Sequence, residues 1–391
     1  MFSAARLRSP ALARQFSMST ARRSARPVSL LTPKELHDLV QQEDGAPVVL
    51  DASWHMPAAK RLPFQEYRKK RIEGAAFWDV DQIASTSDVG VPHNMPSVAQ
   101  FEDACSRLGI ERDSHVVVYD TVGVFSSPRT AFTFKASGKR GQGELTEVRS
   151  GCAQHFGHDK VSVLDGGLPR WQADGLPLDT TSPTNPNPHA VAEDGSALRA
   201  LYGPIFSELL YAHKPKVESY FIADIEERFS DYKVAGVEAV RKEDLRQWED
   251  MNRIINESDK EREVIIDARA AGRFHGTEPE PREGLSSGHM PHSLSLPFQS
   301  VLTPESSTTP PYRTMLSPDE LEKVFEGVMG REMWHEVKSG KRGIVSTCGS
   351  GMTASILWLA LQRAGVIDNA AIYDESWTGY ASRPESVIEK S

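Results

Sequence analysis

The sequence predicts an α/β protein built from two tandem domains, each a parallel sheet flanked by helices. Three observations carry this expectation. Short β-branched runs alternate with helix-like stretches along most of the chain, the pattern of successive βαβ units. The runs of the first half recur, in the same order, in the second. The chain has 391 residues, 39% hydrophobic and 25% charged, which is enough for two or three packed domains and excludes global disorder.

Taken in order, the first 27 residues stand apart. They hold Arg6, Arg8, Arg14, Arg22, Arg23 and Arg26 with several Ser and Ala, and the first carboxylate comes only at Glu35. An Arg- and Ser-rich segment without acid or a continuous apolar core has the composition of a mitochondrial transit peptide. Arg14-Gln15-Phe16-Ser17 fits a processing site, and a start at Met18 would leave a cytoplasmic pool. A plain basic tail is the other reading of this segment.

The repeat then sets the organisation. Val48-Val49-Leu50-Asp51-Ala52 is echoed by Val264-Ile265-Ile266-Asp267-Ala268, and Arg71-Ile72-Glu73-Gly74-Ala75 by His289-Met290-Pro291-His292-Ser293. The run from His115 to Asp120 parallels that from Gly343 to Cys348, and Val161–Asp165 parallels Ala371–Asp374. Each echo reads as a buried parallel strand, with helices such as Thr32–Val40 and Ser317–Phe325 between them. The expected divisions are 28–180 and 233–391 for the domains and 181–232 for the linker. The stretch from Pro177 to His189, rich in Pro, Thr and Asn, marks the start of the linker. Residues 198–232 read as helix or wrapped linker. Residues 137–155 have no counterpart in the second half and read as a surface loop or a translated intron; Cys152 falls inside them and takes no role.

Composition excludes several classes of function. With 45 Lys and Arg against 54 Asp and Glu the formal charge is −9, which argues against direct binding of nucleic acid. No apolar run approaches the length of a membrane span. The three cysteines, Cys105, Cys152 and Cys348, form no C-x-x-C pair, so neither a disulfide framework nor a zinc ribbon is expected. No metal cluster and no phosphate-binding glycine loop is found, and no cofactor is expected. Asp51 and Asp267 read as carboxylates that tie their own strand-end loops. Cys105 reads as a buried residue of a helix.

Chemistry concentrates at Cys348-Gly349-Ser350-Gly351-Met352-Thr353-Ala354, between a strand and a helix that can stop at Gly365. Glycines at 349 and 351 let the backbone curl so that successive N–H groups and the helix N-terminus favour a thiolate, the nucleophilic form of cysteine. The alternative is an inert buried cysteine beside a tight turn. Active groups in parallel sheets sit at the carboxyl ends of strands, which makes Asp120 and Cys348 the positions to compare. A second signal follows the Asp267 strand: Arg273 and Arg282 lie on a Gly- and Pro-stiffened loop and suit a carboxylate clamp. Pairing of these arginines with Glu278, Glu280 or Glu283 is the competing reading.

The paired repeats, with cysteine only in the second, resemble the tandem-domain rhodanese sulfurtransferases. The Cys348–Ala354 loop is similar to that of the 3-mercaptopyruvate sulfurtransferases within the family, with Met352 where the family usually has Val. The resemblance covers nearly all of residues 28–391 and implies two rhodanese-like domains, the first without a nucleophile because Asp120 stands in its place. It implies that Cys348 takes sulfur from 3-mercaptopyruvate as a persulfide, releases pyruvate, and passes the sulfur to a thiol such as thioredoxin. It implies that Arg273 and Arg282 bind the substrate carboxylate and ketone, and that Asp81 and His93 join Ser350 in a proton relay. On their own residues, Asp81 reads equally as a helix cap and His93 as a loop residue. Thiosulfate as donor is the nearest alternative, disfavoured by the uncharged Gly349-Ser350 pair. A dual-specificity phosphatase would need a longer loop ending in arginine. A sulfur relay that hands persulfide to an adenylating protein of tRNA thiolation is the non-enzymatic alternative.

Overall fold

Both halves lay their strands down in the same order. The structure, a computed structural model, describes residues 27–42, 44–136, 158, 160–182 and 244–391. The first five-stranded sheet runs β1 (Ser29–Leu31), β5 (Val161–Leu164), β4 (Val116–Tyr119), β2 (Val48–Asp51) and β3 (Ala76–Phe77). The second runs β6 (Leu245–Arg246), β10 (Ala370–Tyr373), β9 (Ile344–Thr347), β7 (Val264–Asp267) and β8 (Leu294–Ser295). Every pairing in both sheets is parallel. The expected transit segment, Cys152, the stretch 137–155, and the linker apart from 181 and 182 lie outside the described residues.

Local sequence explains where the helices begin. Thr32 caps α1 (Pro33–Val40) in a reciprocal box with Glu35, and Ser317 does the same with Glu320 for α9 (Pro318–Met329). The remaining helices of the first half are α2 (Pro63–Lys69), α3 (Val80–Ile83), α4 (Val98–Arg107), α5 (Ser127–Ala136) and α6 (Gly167–Ala173). Those of the second are α7 (Trp248–Asn256), α8 (Ala271–Phe274), α10 (Arg331–Lys338), α11 (Ala354–Arg363) and α12 (Ser376–Ala381). Helix α11 stops where expected: Gly365 sits at φ +95° and the Val366 N–H closes onto the Leu361 carbonyl.

Strand alternation divides the core into three. Val49, Val117, Tyr119 and Leu164 pack outward with Leu36 of α1 and Trp171 of α6. Ile265, Val345, Ala371 and Tyr373 pack outward with Met251 and Ile254 of α7. The intervening residues, among them Leu50, Val116, Val118, Ile266, Ile344 and Ile372, face a single core shared by both halves. Helices α5 and α11 lie inside it, and Phe132 meets Trp358 edge-on at 5.1 Å. Cys105 is fully buried in this core, and burial pushes its thiol well above the ordinary range.

One pair of echoes is not strand. Arg71–Ala75 and His289–Ser293 are turns, closed by Ala75 N–H to the Ile72 carbonyl and Ser293 N–H to the Met290 carbonyl. Gly74 (φ +72°) and His292 (φ +63°) bend the backbone the wrong way for a ladder, and the two-residue edge strands β3 and β8 follow. Instead Arg71 and His289 each make an isolated antiparallel bridge to a later segment, at Asp179 and Glu389. The described part of the stretch beginning at Pro177 is thereby fastened to the first domain, with Arg71 paired to Asp179.

The strand-end carboxylates tie their loops, but at different cost. Asp267 is paired with Arg269, whereas Asp51, fully buried, accepts from Ser53 N–H and Oγ and has no cationic partner among the described residues. Burial pushes the Asp51 carboxyl up to about 7 from 3.8. An acid raised on folding costs nothing while it is protonated in both states. The cost appears as pH rises past the unfolded value and is complete above the folded one. Asp51→Asn should therefore match the parent near pH ~4 and exceed it by roughly 2–4 kcal/mol above pH ~8, read by denaturant unfolding across that range.

Candidate active site

Strand β9 ends at Thr347, and Cys348 opens the loop into α11, 1% exposed. Gly351 turns the loop at φ +79°. A Cβ there would lie 2.8 Å from the Asp374 carbonyl and 3.2 Å from Arg129, so only glycine fits. The N–H groups of Cys348 and Gly351 both donate to the Oγ of Ser376, at 3.1 and 3.0 Å. The start of α12 then takes the loop carbonyls: Trp377 N–H reaches the oxygen of Cys348, and Thr378 N–H and Oγ reach that of Gly349. No acceptor among the described residues takes the N–H groups of Gly349, Ser350, Met352 or Thr353. The loop is thus braced from behind and leaves these donors for an anion.

The loop in the first domain shows the same device already filled. The Asp120 carboxylate accepts the N–H groups of Val122, Gly123, Phe125, Ser126 and Ser127 at 2.7–3.1 Å, and the Ser127 hydroxyl at 2.6 Å. A carboxylate where the second domain has Cys348 supplies its own anion to the curl.

Three sequence-predicted residues meet across the domain interface. His93 Nε2 lies 2.6 Å from Asp81 Oδ1, and His93 Nδ1 lies 3.4 Å from Ser350 Oγ. Asp81 also accepts the indole N–H of Trp54, whose ring stands edge-on to His93 at 4.8 Å. Asp81 lies within α3 and is not its cap; Asp79 caps α3. With Nε2–H directed to Asp81, Nδ1 is left for the serine hydroxyl. His93 is 5% exposed and held at φ +68°, a conformation that needs external support in a non-glycine residue.

That support comes from Arg129, which sequence reading passed over. Its Nη2 donates to the His93 carbonyl and to Asp374 Oδ1, both at 2.6 Å, with the two side chains 2% and 4% exposed. Asp374 Oδ2 accepts the Met95 N–H at 2.8 Å. The echo partner of Asp374 is Asp165, and it accepts the Met315 N–H at 2.8 Å, so each sheet clasps the other domain at the equivalent point. That repeated aspartate was the one sequence signal for the clasp. Ser376 and Thr378 left no such signal.

Beside Gly349 lie the arginines. A Cβ on Gly349 would stand 3.5 Å from Arg273 and 3.9 Å from Arg282. Arg273 pairs with Glu280, as the competing reading allowed. Arg282 donates to Thr378 Oγ1 at 2.8 Å, and no carboxylate among the described residues pairs with it. Burial lowers the Arg282 guanidinium from its ordinary value, and the charges of Cys348 and Glu280 act against that. Met352 is buried and Thr353 partly so, and both lead into α11. Among the described residues no group of His, Cys, Asp and Glu is placed to hold a metal ion.

Removing Arg129 tests the clasp. Arg129→Met strands a buried carboxylate and frees the His93 carbonyl, and breaking one side of such a pair costs about 3–5 kcal/mol. Asp374→Asn turns one of the two accepting oxygens into a donor and leaves the Arg129 guanidinium without a counter-charge, so it should cost a similar amount; denaturant unfolding of both variants checks this.

Comparison with known proteins agrees with the duplicated fold. The rhodanese-like domain family matches residues 32–174 and 250–383. The chain is 33% identical over 341 residues to a protein of Arabidopsis thaliana named thiosulfate/3-mercaptopyruvate sulfurtransferase 1, mitochondrial, covering 87% of this chain and 73% of that one. It is 32% identical to the probable 3-mercaptopyruvate sulfurtransferase of Schizosaccharomyces pombe, covering 86% and 87%. The crystal structure of the Tum1 protein from Saccharomyces cerevisiae superposes with a TM-score of 0.67 at 27% identity, covering 93% and 98%. With two copies of the domain, one carrying Cys348 at the end of its central strand and one carrying Asp120, this chain belongs to the rhodanese family.

Proposed function

We propose that the chain is a 3-mercaptopyruvate sulfurtransferase with Cys348 as nucleophile. The relatives named for this activity support the reading, and the observation that carries it is the Ser350–His93–Asp81 chain beside the cysteine. The Cys348 thiolate attacks the thiol sulfur of 3-mercaptopyruvate. The carbon–sulfur bond breaks, and its electron pair leaves with the carbon as the enolate of pyruvate. One proton must reach that carbon. Ser350 delivers its hydroxyl proton and is resupplied by the His93 imidazolium, which Asp81 stabilises until the proton has moved. The sulfur stays on Cys348 as a persulfide, and an acceptor thiolate takes its outer atom. Arg282, which pairs with no carboxylate among the described residues, and Arg273 hold the substrate carboxylate and ketone. The open N–H groups of Gly349, Ser350, Met352 and Thr353 receive the persulfide charge.

Thiosulfate fits less well. It leaves as sulfite, which needs no carbon protonation, and the loop offers Gly349 and Ser350 where a dianion would favour basic side chains. The acceptor proposed is a small thiol or thioredoxin, and delivery to a tRNA-thiolation adenylating protein uses the same persulfide. The acid-free arginine segment at 1–27 and the mitochondrial name of the Arabidopsis relative support a place in the mitochondrion, with a Met18 start supplying the cytoplasm.

Pyruvate release from 3-mercaptopyruvate, compared with thiocyanate formation from thiosulfate, tests the reading. Cys348→Ser should abolish both. His93→Ala should slow pyruvate release about 10²–10⁴-fold, the worth of a positioned acid–base group, yet change the thiosulfate reaction by only a few fold. Equal losses on both donors would remove the relay from the mechanism, and an unaffected Cys348→Ser variant would remove the nucleophile.

A further inference from the structure

Behind the two substrate-facing arginines runs a buried chain of alternating charge. Asp267, at the end of β7, binds Arg269 through Nη2 at 2.6 Å, and Arg269 Nη1 binds Glu280 at 2.7 Å. Glu280 in turn takes both Nε and Nη2 of Arg273. The side chains of Asp267, Arg269 and Glu280 are 2%, 1% and 3% exposed. Arg269 is further fixed over the Trp377 ring at 4.1 Å, and by Nη2 to the Gly288 carbonyl. Glu278 and Glu283 flank the loop but are exposed, so solvent screens them. The buried guanidiniums of Arg269, Arg273 and Arg282 thus face two carboxylates, and the proposed Cys348 thiolate beside Arg282 offsets what remains, so little positive charge is left uncancelled beside Gly349.

We propose that Glu280 is a specificity-determining residue: by cancelling one guanidinium it lowers the positive charge facing the donor and favours sulfur donors that carry one negative charge over those that carry two. Each positive charge attracts a dianion about twice as strongly as a monoanion, so cancelling one guanidinium weakens the hold on a dianion more. Glu280 is bonded to Arg269 and Arg273 and acts on Arg282 through its charge, so its influence on the donor is electrostatic and positional. The inference rests on the proposed 3-mercaptopyruvate reading and names the property of the donor that the site measures.

Glu280→Gln keeps the size of the side chain and removes its charge; Glu280→Asp keeps the charge and shifts it. Steady-state kinetics of both variants on 3-mercaptopyruvate and thiosulfate give the ratio of kcat/KM values. In Glu280→Gln the ratio should move toward thiosulfate by about tenfold, as expected for one charge acting at close range. In Glu280→Asp it should stay within about twofold of the parent even if both rates fall. An unchanged ratio in the Gln variant, or an equal shift in the Asp variant, would overturn the proposal. Calorimetric binding of pyruvate and of sulfate to the parent and the Gln variant separates the two failures. If the parent released no pyruvate, the functional reading would fall, while a shift of relative affinity toward sulfate in the Gln variant would still uphold the charge rule, and no shift would overturn it.

Discussion

The buried pair between Arg129 and Asp374 is the interaction on which the rest of the site depends. It joins the end of the second sheet to a helix of the first, and the same two side chains hold the backbone of His93 and Met95. Buried ion pairs often add little net stability, because both partners lose water. Here the return is positional. Asp374 accepts from a backbone N–H and from Nη2 of Arg129, both of the other domain, and Arg129 packs against the one loop position, Gly351, where a side chain would exclude it. The cysteine loop and the histidine that faces it therefore cannot move independently.

Duplication explains why the domains interlock so regularly, and divergence explains why one of them holds the chemistry. Asp165 repeats the clasp of Asp374, and the Arg71 turn repeats that of His289. The strand-end loops differ. In the first domain Asp120 satisfies five backbone donors of the curl with its own carboxylate. In the second, Ser376 takes two, and no acceptor among the described residues takes those of Gly349, Ser350, Met352 or Thr353 beside Cys348. The neighbouring strand shows a parallel change. Asp51 lies buried beside Ser53 with no cationic partner among the described residues, while Asp267 has gained Arg269 and, through it, Glu280 and Arg273.

Much of this was legible in the residues. β-branched runs located the six longest of the strands, and Thr32–Glu35 and Ser317–Glu320 located helix starts, because both signals act over a few residues. Cys348 stood out because strand, glycine turn and helix are contiguous. Asp81 and His93 could be placed beside Ser350 only by family resemblance, since their meeting depends on domain packing and spans 257 residues between His93 and Ser350. Arg129 gave no local sign at all: an arginine in the first turn of a helix looks like a surface residue until its carboxylate partner, 245 positions away, is in view. The Arg71 and His289 echoes were true repeats misread as strands, because repetition reveals equivalence without revealing conformation.

The central claim is that groups from two domains act as one proton relay for the departing enolate. A double-mutant cycle on Ser350→Ala and His93→Gln, measured as single-turnover pyruvate release, tests it most directly. If the two act in series, either change alone removes nearly the whole contribution, and the double variant is about as slow as the slower single one. Losses that multiply, with the double variant slower by the product of the two factors, would show that the serine and the histidine work separately and would contradict the account.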